Sequence, residues 1–240
     1  MRYSILFVFF LSSGSTNIGE INSKLQEFLT ALPSNADVNL DGKECGNQDI
    51  EYICKVAIGE KRCRKLRLEN NDITGKGVAI LADALYANNS LTELHLSNNC
   101  ISDIGAHALA QVLSIHNWTL TWLEINANEI TDDGVEYLAE MLKVNKTLVL
   151  LGLSFNRIGD RGVQNLTGAI GYFNENLQWL HLASNRAITD ASVTSLGDMF
   201  AHNRSLQAVY LNDCGLTANG IKQLKRAVNM EKKTNFFLHT

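Results

Sequence analysis

Residues 91–99 read LTELHLSNN, and the spacing of their apolar residues, written LxxLxLxxN, returns along most of the chain. It recurs as Cys63/Leu66/Leu68/Asn71, Leu91/Leu94/Leu96/Asn99, Leu120/Leu123/Ile125/Asn128, Leu148/Leu151/Leu153/Asn156, Leu177/Leu180/Leu182/Asn185 and Leu206/Val209/Leu211/Cys214. Successive starts, at positions 63, 91, 120, 148, 177 and 206, keep a period of roughly 28 to 29 residues. Two leucines separated by one residue point to the same face of a short strand, so that face is buried and the residue between them looks outward. One unit cannot bury its apolar side alone, whereas neighbours stacked at a fixed period share a continuous core. The asparagine closing each unit is expected to form a buried ladder, because a buried amide must find partners; Cys214 replaces it in the last unit.

The second half of each unit has the period of a helix. Thr74, Ser102, Thr131, Thr189 and Thr217 are good N-cap types and Gly159 takes the same place. Apolar positions follow at helical spacing, as in Val78, Leu81, Leu85 and in Val135, Leu138, Leu142. Asn88, Asn117, Asn145, Asn174 and Asn203 end these helices, where a residue tolerating a left-handed backbone is expected. Strand, loop and helix within one such period predict an α/β solenoid, a horseshoe with a parallel concave sheet and convex helices.

The alternating 28 and 29, the LxLxxN/C core and the phrase ITDDG at 130–134, repeated as IGDRG at 158–162, resemble the ribonuclease-inhibitor-like subfamily of leucine-rich repeats. The resemblance covers about residues 35–233. Similar arrays form the sensor ends of nucleotide-binding innate immune receptors and occur in Ran-type GTPase activators and actin-regulatory proteins. The resemblance therefore implies a fold and a scaffold role, while members differ in partner.

Composition narrows the function classes. Lys and Arg number 21 against 25 Asp and Glu, so a net charge of −4 offers no basic surface for nucleic acid or acidic lipid. One proline and no Gly/Ser tract leave no linker. Of the five cysteines, Cys63 stands for a core leucine and Cys214 for an asparagine. A Cys45–Cys54 disulfide is conceivable in a secreted chain, with free thiols as the default, and no Cys/His spacing suits a metal.

The ends read differently from the middle. Residues 1–14, MRYSILFVFFLSSG, have the three regions of a short secretory signal, too short to span a bilayer. They also fit a further repeat strand, Leu6/Phe9/Leu11/Gly14, placed one longer period before Asn35. Both readings stay open. The family resemblance implies a cytoplasmic protein, and the signal reading implies a secreted one. Residues 15–62 comprise a helix over 18–32, stopped by Pro33, and a degenerate capping unit, Asn35/Val38/Leu40/Lys43. Five full units occupy 63–205, and 206–240 hold the last unit, its helix over 216–228 and a closing strand. In that strand Phe237 takes the leucine position, one shorter period after Val209.

The sequence offers no catalytic constellation. Gly75-Lys76-Gly77 is no P-loop, no GxSxG occurs, and the six histidines form no HExxH. Paired carboxylates such as Asp132-Asp133 sit at helix starts, where they suit the helix dipole. No cofactor or metal is implied. Sequons at Asn88, Asn117, Asn145 and Asn203 fall at the corner where the repeat itself calls for Asn, and a fifth, Asn165, lies within a helix.

The outward strand positions carry the functional expectation. They stack laterally about 5 Å apart. One row runs Lys65, Glu93, Trp122, Leu150, Trp179, Ala208 and a second Arg67, His95, Glu124, Gly152, His181, Tyr210; a third, at the strand exit, runs Asn70, Asn98, Ala127, Phe155, Ser184, Asp213. Trp122, Leu150, Phe155, Trp179 and Tyr210 are thereby expected on one exposed face, flanked by His95, Glu124 and His181, with Gly152 leaving a dimple between the tryptophans. Large apolar groups there are not demanded by the core and have the composition of an interaction hot spot. The alternative is that the tryptophans merely shield the sheet. These residues predict a non-catalytic scaffold that holds a protein or peptide. Two other readings are a regulator of the GTPase-activating kind, by analogy, or a fragment of a larger sensor.

Overall fold

The computed structural model describes residues 23–115, 119–230 and 237–240. Eight short strands form one parallel sheet in sequential order: β1 (Val38–Asn39), β2 (Lys65–Arg67), β3 (Glu93–His95), β4 (Trp122–Glu124), β5 (Leu150–Gly152), β6 (Trp179–His181), β7 (Ala208–Tyr210) and β8 (Phe237–His239). Helix α1 (Ser23–Ala31) precedes the sheet. Each of β1 to β7 is followed by a helix on the convex side: α2 (Asn47–Ile53), α3 (Gly75–Tyr86), α4 (Ser102–Ile115), α5 (Asp132–Val144), α6 (Asp160–Tyr172), α7 (Val193–His202) and α8 (Ala218–Met230). No helix among the described residues is long and apolar enough to cross a membrane.

Register places Leu66, Leu94, Leu123, Leu151, Leu180 and Val209 side by side in one row. All six are fully buried, as are Val78, Leu81 and Leu85 of α3 and Val135, Leu138 and Leu142 of α5. Burying a leucine side chain is worth about 2 kcal/mol, and here each one packs against copies of itself in the neighbouring units.

Three side-chain ladders tie the units together. In the first, each buried asparagine accepts from the loop of the preceding unit and donates to carbonyls of that unit and of its own. Asn156 Oδ1 accepts from the N–H groups of Asn128 and Ile130 (both 3.0 Å), and Nδ2 donates to Ile125 O (3.1 Å) and Leu153 O (3.0 Å). Cys214 keeps one such contact, Sγ to Leu182 O at 3.4 Å.

The second ladder corrects the expected left-handed corner. Asn145 and Asn203 have extended backbones (φ −70° and −72°). Their amides make the turn: Asn145 Oδ1 accepts from Thr147 and Leu148 (3.1 and 2.8 Å), and Nδ2 donates to Leu113 O of the preceding helix (2.9 Å). Both side chains are buried and fully engaged, so these two sequons are closed in the folded chain. Asn117 lies outside the described residues. Left-handed backbone recurs instead at every residue of the strand-exit row, Asn70, Asn98, Ala127, Phe155, Ser184 and Asp213, with φ between 51° and 61°.

The third ladder runs along the helix starts. Asn47, Asp103, Asp132, Asp160 and Asp190 each accept from the N–H at the start of the next unit's helix, on Thr74, Thr131, Gly159, Thr189 and Thr217, at 2.7–2.9 Å. The acids thus bond to the next unit in addition to sitting at their own helix's positive end. Gly75 occupies the equivalent place in the second unit, where a Cβ would stand 2.8 Å from Ile101 O. Ser102, the residue this rung would have held, adopts φ 55° and donates to Asn128 O (2.9 Å) rather than acting as an N-cap.

The N-terminal cap is closed by α1, which buries Leu25 and Leu29, and by Lys61, whose ammonium donates to Thr30 O and Leu32 O (2.7 and 2.6 Å). Between them, α2 runs on as a π-helical segment, Cys54–Glu60. All five cysteines are free. Burial pushes the Cys54 and Cys63 thiols up to about 12 and Cys45 to about 11, which leaves them inert. At the other end, β8 pairs with Phe237 opposite Ala208 and Leu238 opposite Val209. The leucine position is therefore Leu238, one place later than expected, and Phe237 is an exposed outward residue. The segment 1–14, Ile18 and Ile21 lie outside the described residues.

Candidate functional site: the concave face

The outward rows form as expected, and both extend by one rung at β8, to Phe237 in the first and His239 in the second. In the first row Trp122 and Trp179 are half-buried, with ring centroids 6.4 Å apart and planes inclined at 35°. Their strands are two apart, about 9.6 Å at the usual spacing. The indoles therefore lean toward each other across the residue between them, Leu150. This corrects the expectation for Leu150: it faces outward yet is only 3% exposed, because its larger neighbours cover it. Ala208, beside Trp179, is buried as well.

The second row continues the aromatic surface. The His181 and Tyr210 rings meet edge-on at 4.5 Å, and Tyr210 stacks on His239 at 4.2 Å with planes 4° apart. Gly152 leaves no dimple. A Cβ there would meet the Asn126 amide at 3.0 Å and Glu124 Cγ at 3.1 Å, so these side chains occupy the space. Phe155 is 65% exposed, but it lines a hollow at the loop rim with Ser184, Arg186, Asp213, Cys214 and Gly215 rather than joining the tryptophans.

His95 differs from expectation in another way. It is 4% exposed, enclosed by carboxylates from three strands or strand exits. Its Nδ1 lies 3.0 Å from Glu124 Oε2 and 3.5 Å from Glu69 Oε1, and Nε2 lies 3.3 Å from Glu93 Oε2. Lys65 holds Glu93 at 2.6 Å; Arg67 holds Asp41 at 2.7 Å and Glu69 at 3.3 Å. The His95 contact, chiefly, keeps the Glu124 carboxyl below the usual carboxylate range, against its own burial and with help from Trp122. Burial pushes Glu93 up, but Lys65 and His95 together outweigh it and leave it low. Burial, supported by His239 and opposed by Glu124, lowers His181.

Sequence reasoning missed Glu69, and it left Phe237 and His239 off the face. Glu69 belongs to a further row directly after the last core residue, with Ser97, Asn126 and Ser154. Continuing the strand's alternation one step past Leu68 would have found it.

A leucine-rich repeat family profile matches residues 87–110, 116–139, 144–166 and 202–225. Over 202 residues the chain is 31% identical to the human NACHT, LRR and PYD domains-containing protein 5, covering 84% of this chain and 17% of that protein. It is 28% identical over 211 residues to the mouse ribonuclease inhibitor, covering 88% of this chain and 46% of that one. The chain thus spans less than half the length of these relatives. Among solved structures, the tropomodulin C-terminal domain of Caenorhabditis elegans superimposes with a TM-score of 0.54 at 13% identity, over 65% of this chain and 94% of that domain, a likeness of fold alone. Repeat spacing, asparagine ladder and relatives agree: the chain is a leucine-rich repeat protein of the ribonuclease-inhibitor-like subfamily.

Proposed function

We propose that this protein is a non-catalytic scaffold that holds a protein or peptide against its concave face, with Trp122, Trp179 and Tyr210 as the central anchors. The observation that carries this reading is the contiguous aromatic surface at positions where the shared core demands nothing large. Rigid aromatic side chains offer much contact area for little lost rotamer freedom, and hot spots are enriched in Trp and Tyr. His181 and Glu124 supply polar contacts beside them, and His95 braces Glu124 from below. Phe155 and the loop rim form a second, separate contact zone.

The test is quantitative capture by wild type, by a Trp122→Ala/Trp179→Ala double variant and by a Tyr172→Ala variant on the convex side, with circular dichroism confirming the fold of each. A ribonuclease belongs among the candidate partners, because one relative is named as its inhibitor. The expected result is a partner retained by Tyr172→Ala and weakened by at least about 30-fold, a hot-spot-sized loss, in the double variant. Equal capture by the double variant would move the site elsewhere.

A further inference from the structure

We propose that Glu69, His95 and Glu124 form a binding site for one divalent transition-metal ion of the zinc class, ligated by His95 Nδ1 and one oxygen of each carboxylate. One ligand atom from each residue lies within 4.8 Å of the other two. Ligands bound at about 2.1 Å around a tetrahedral ion sit about 3.4 Å from one another. Two of the three existing separations, 3.0 and 3.5 Å from Nδ1, bracket that value, and the third lies within 4.8 Å.

The hydrogen-bond inventory of the imidazole points the same way. A neutral ring has one donor nitrogen, yet both nitrogens of His95 face carboxylates. Glu93, pinned by Lys65, is placed to take the Nε2 proton. The Nδ1 lone pair then faces Glu69 and Glu124, an arrangement that needs either a second proton or a metal ion. A carboxylate behind the second nitrogen is the usual partner of a metal-bound histidine, fixing its tautomer and ring orientation. The three ligands stand on consecutive units of a rigid sheet, at the exit of β2 and the ends of β3 and β4. The two glutamate side chains are 19% and 20% exposed, which leaves a fourth position open to water from the concave side.

Donor chemistry selects the ion. One imidazole and two carboxylates without a thiolate suit zinc and cobalt(II). Calcium and magnesium prefer six or more oxygens or their own water shell.

The experiment uses the full chain in a Cys100→Ser background, so that the exposed thiol takes no part. After chelation and dialysis, the protein is titrated calorimetrically with zinc chloride and followed in the visible region with cobalt chloride. The proposal expects one zinc per chain, cobalt bands of a four- or five-coordinate site, and no response to calcium or magnesium at the same concentrations. His95→Gln and Glu124→Gln should each weaken zinc by roughly 100-fold or more, and Glu93→Gln, which leaves the ligands in place, by roughly 10- to 100-fold. Circular dichroism checks each variant's fold, and Glu69→Gln gives a ligand deletion on a partly exposed side chain should His95→Gln unfold. No stoichiometric zinc binding, or binding unchanged by His95→Gln and Glu69→Gln, would overturn the site.

Discussion

From β1 to β4 the outward positions carry Asp41, Lys65, Arg67, Glu69, Glu93 and Glu124, whereas from β4 to β8 they carry Trp122, Trp179, His181, Tyr210, Phe237 and His239. Beneath both halves lie the same leucine row and the same asparagine ladder. In the charged half ion pairs link neighbouring strands, Lys65 with Glu93, Arg67 with Asp41, and His95 with Glu69 and Glu124. The aromatic half packs ring on ring and hides Leu150, yet keeps ring faces toward solvent. One core therefore supports two surfaces of opposite character. The concave face thus offers aromatic area at one end and fixed charges at the other.

That contrast can be broken by matched truncations. The largest effect is expected at Leu150. Leu150→Ala empties the space under two indoles and should lower unfolding free energy by about 3 kcal/mol in urea denaturation, with a shift in tryptophan emission. A loss below about 1 kcal/mol would mean the indoles collapse into the gap. Tyr210→Ala removes a ring that stacks on His239 and meets His181 edge-on, and should cost about 1 kcal/mol by the same measurement. The pair on the charged side is worth less. Lys65→Met, which breaks a partly exposed ion pair, should change stability by no more than about 0.5 kcal/mol, and salt at about 1 M should shrink even that.

Acid sharpens the comparison without mutation. His181 has a folded pKa below its unfolded value near 6.5, so the unfolded chain takes up that proton first. Its contribution is intact above about pH 6.5 and is lost as pH falls through the folded value. Glu93 and Glu124 are also held low, so their stabilisation is present above about pH 4.3 and disappears as pH falls further. Melting curves in chelator-treated buffer should fall first between about pH 7 and 5, flattening in His181→Phe, and then again below about pH 4. A single acid transition shared by wild type and variant would show the two halves titrating as one.

How much of this is legible in the sequence follows from what each feature depends on. Period alone locates the strands, the buried leucines and the asparagine ladder, because each unit copies its neighbour's environment. Which residues face outward follows from alternation along a strand and is readable for Trp122, Trp179, His181 and Tyr210. Exposure is a different property. Leu150 and His95 face outward and are nevertheless covered, by indoles in one case and carboxylates in the other, and no pattern within one unit contains that information. Phe237 falls one place off the expected position because the closing strand returns on the longer of the two periods rather than the shorter. The corner asparagines are correctly located by the repeat, but their physics is not. The choice between a left-handed backbone and a side-chain turn depends on the neighbouring unit, whose Leu113 carbonyl Asn145 reaches.

The absent rung at Gly75 changes how the second and third units meet on the convex side. A parallel bridge, Thr74 to Cys100, still ties these two units in the outer loops. The inner asparagine rung remains there too, with Asn99 Oδ1 accepting from the Ile73 N–H, and α4 is tied onward to α5 through Asp103. With no rung between them, the starts of α3 and α4 meet backbone against backbone, and the join has room for no side chain at position 75.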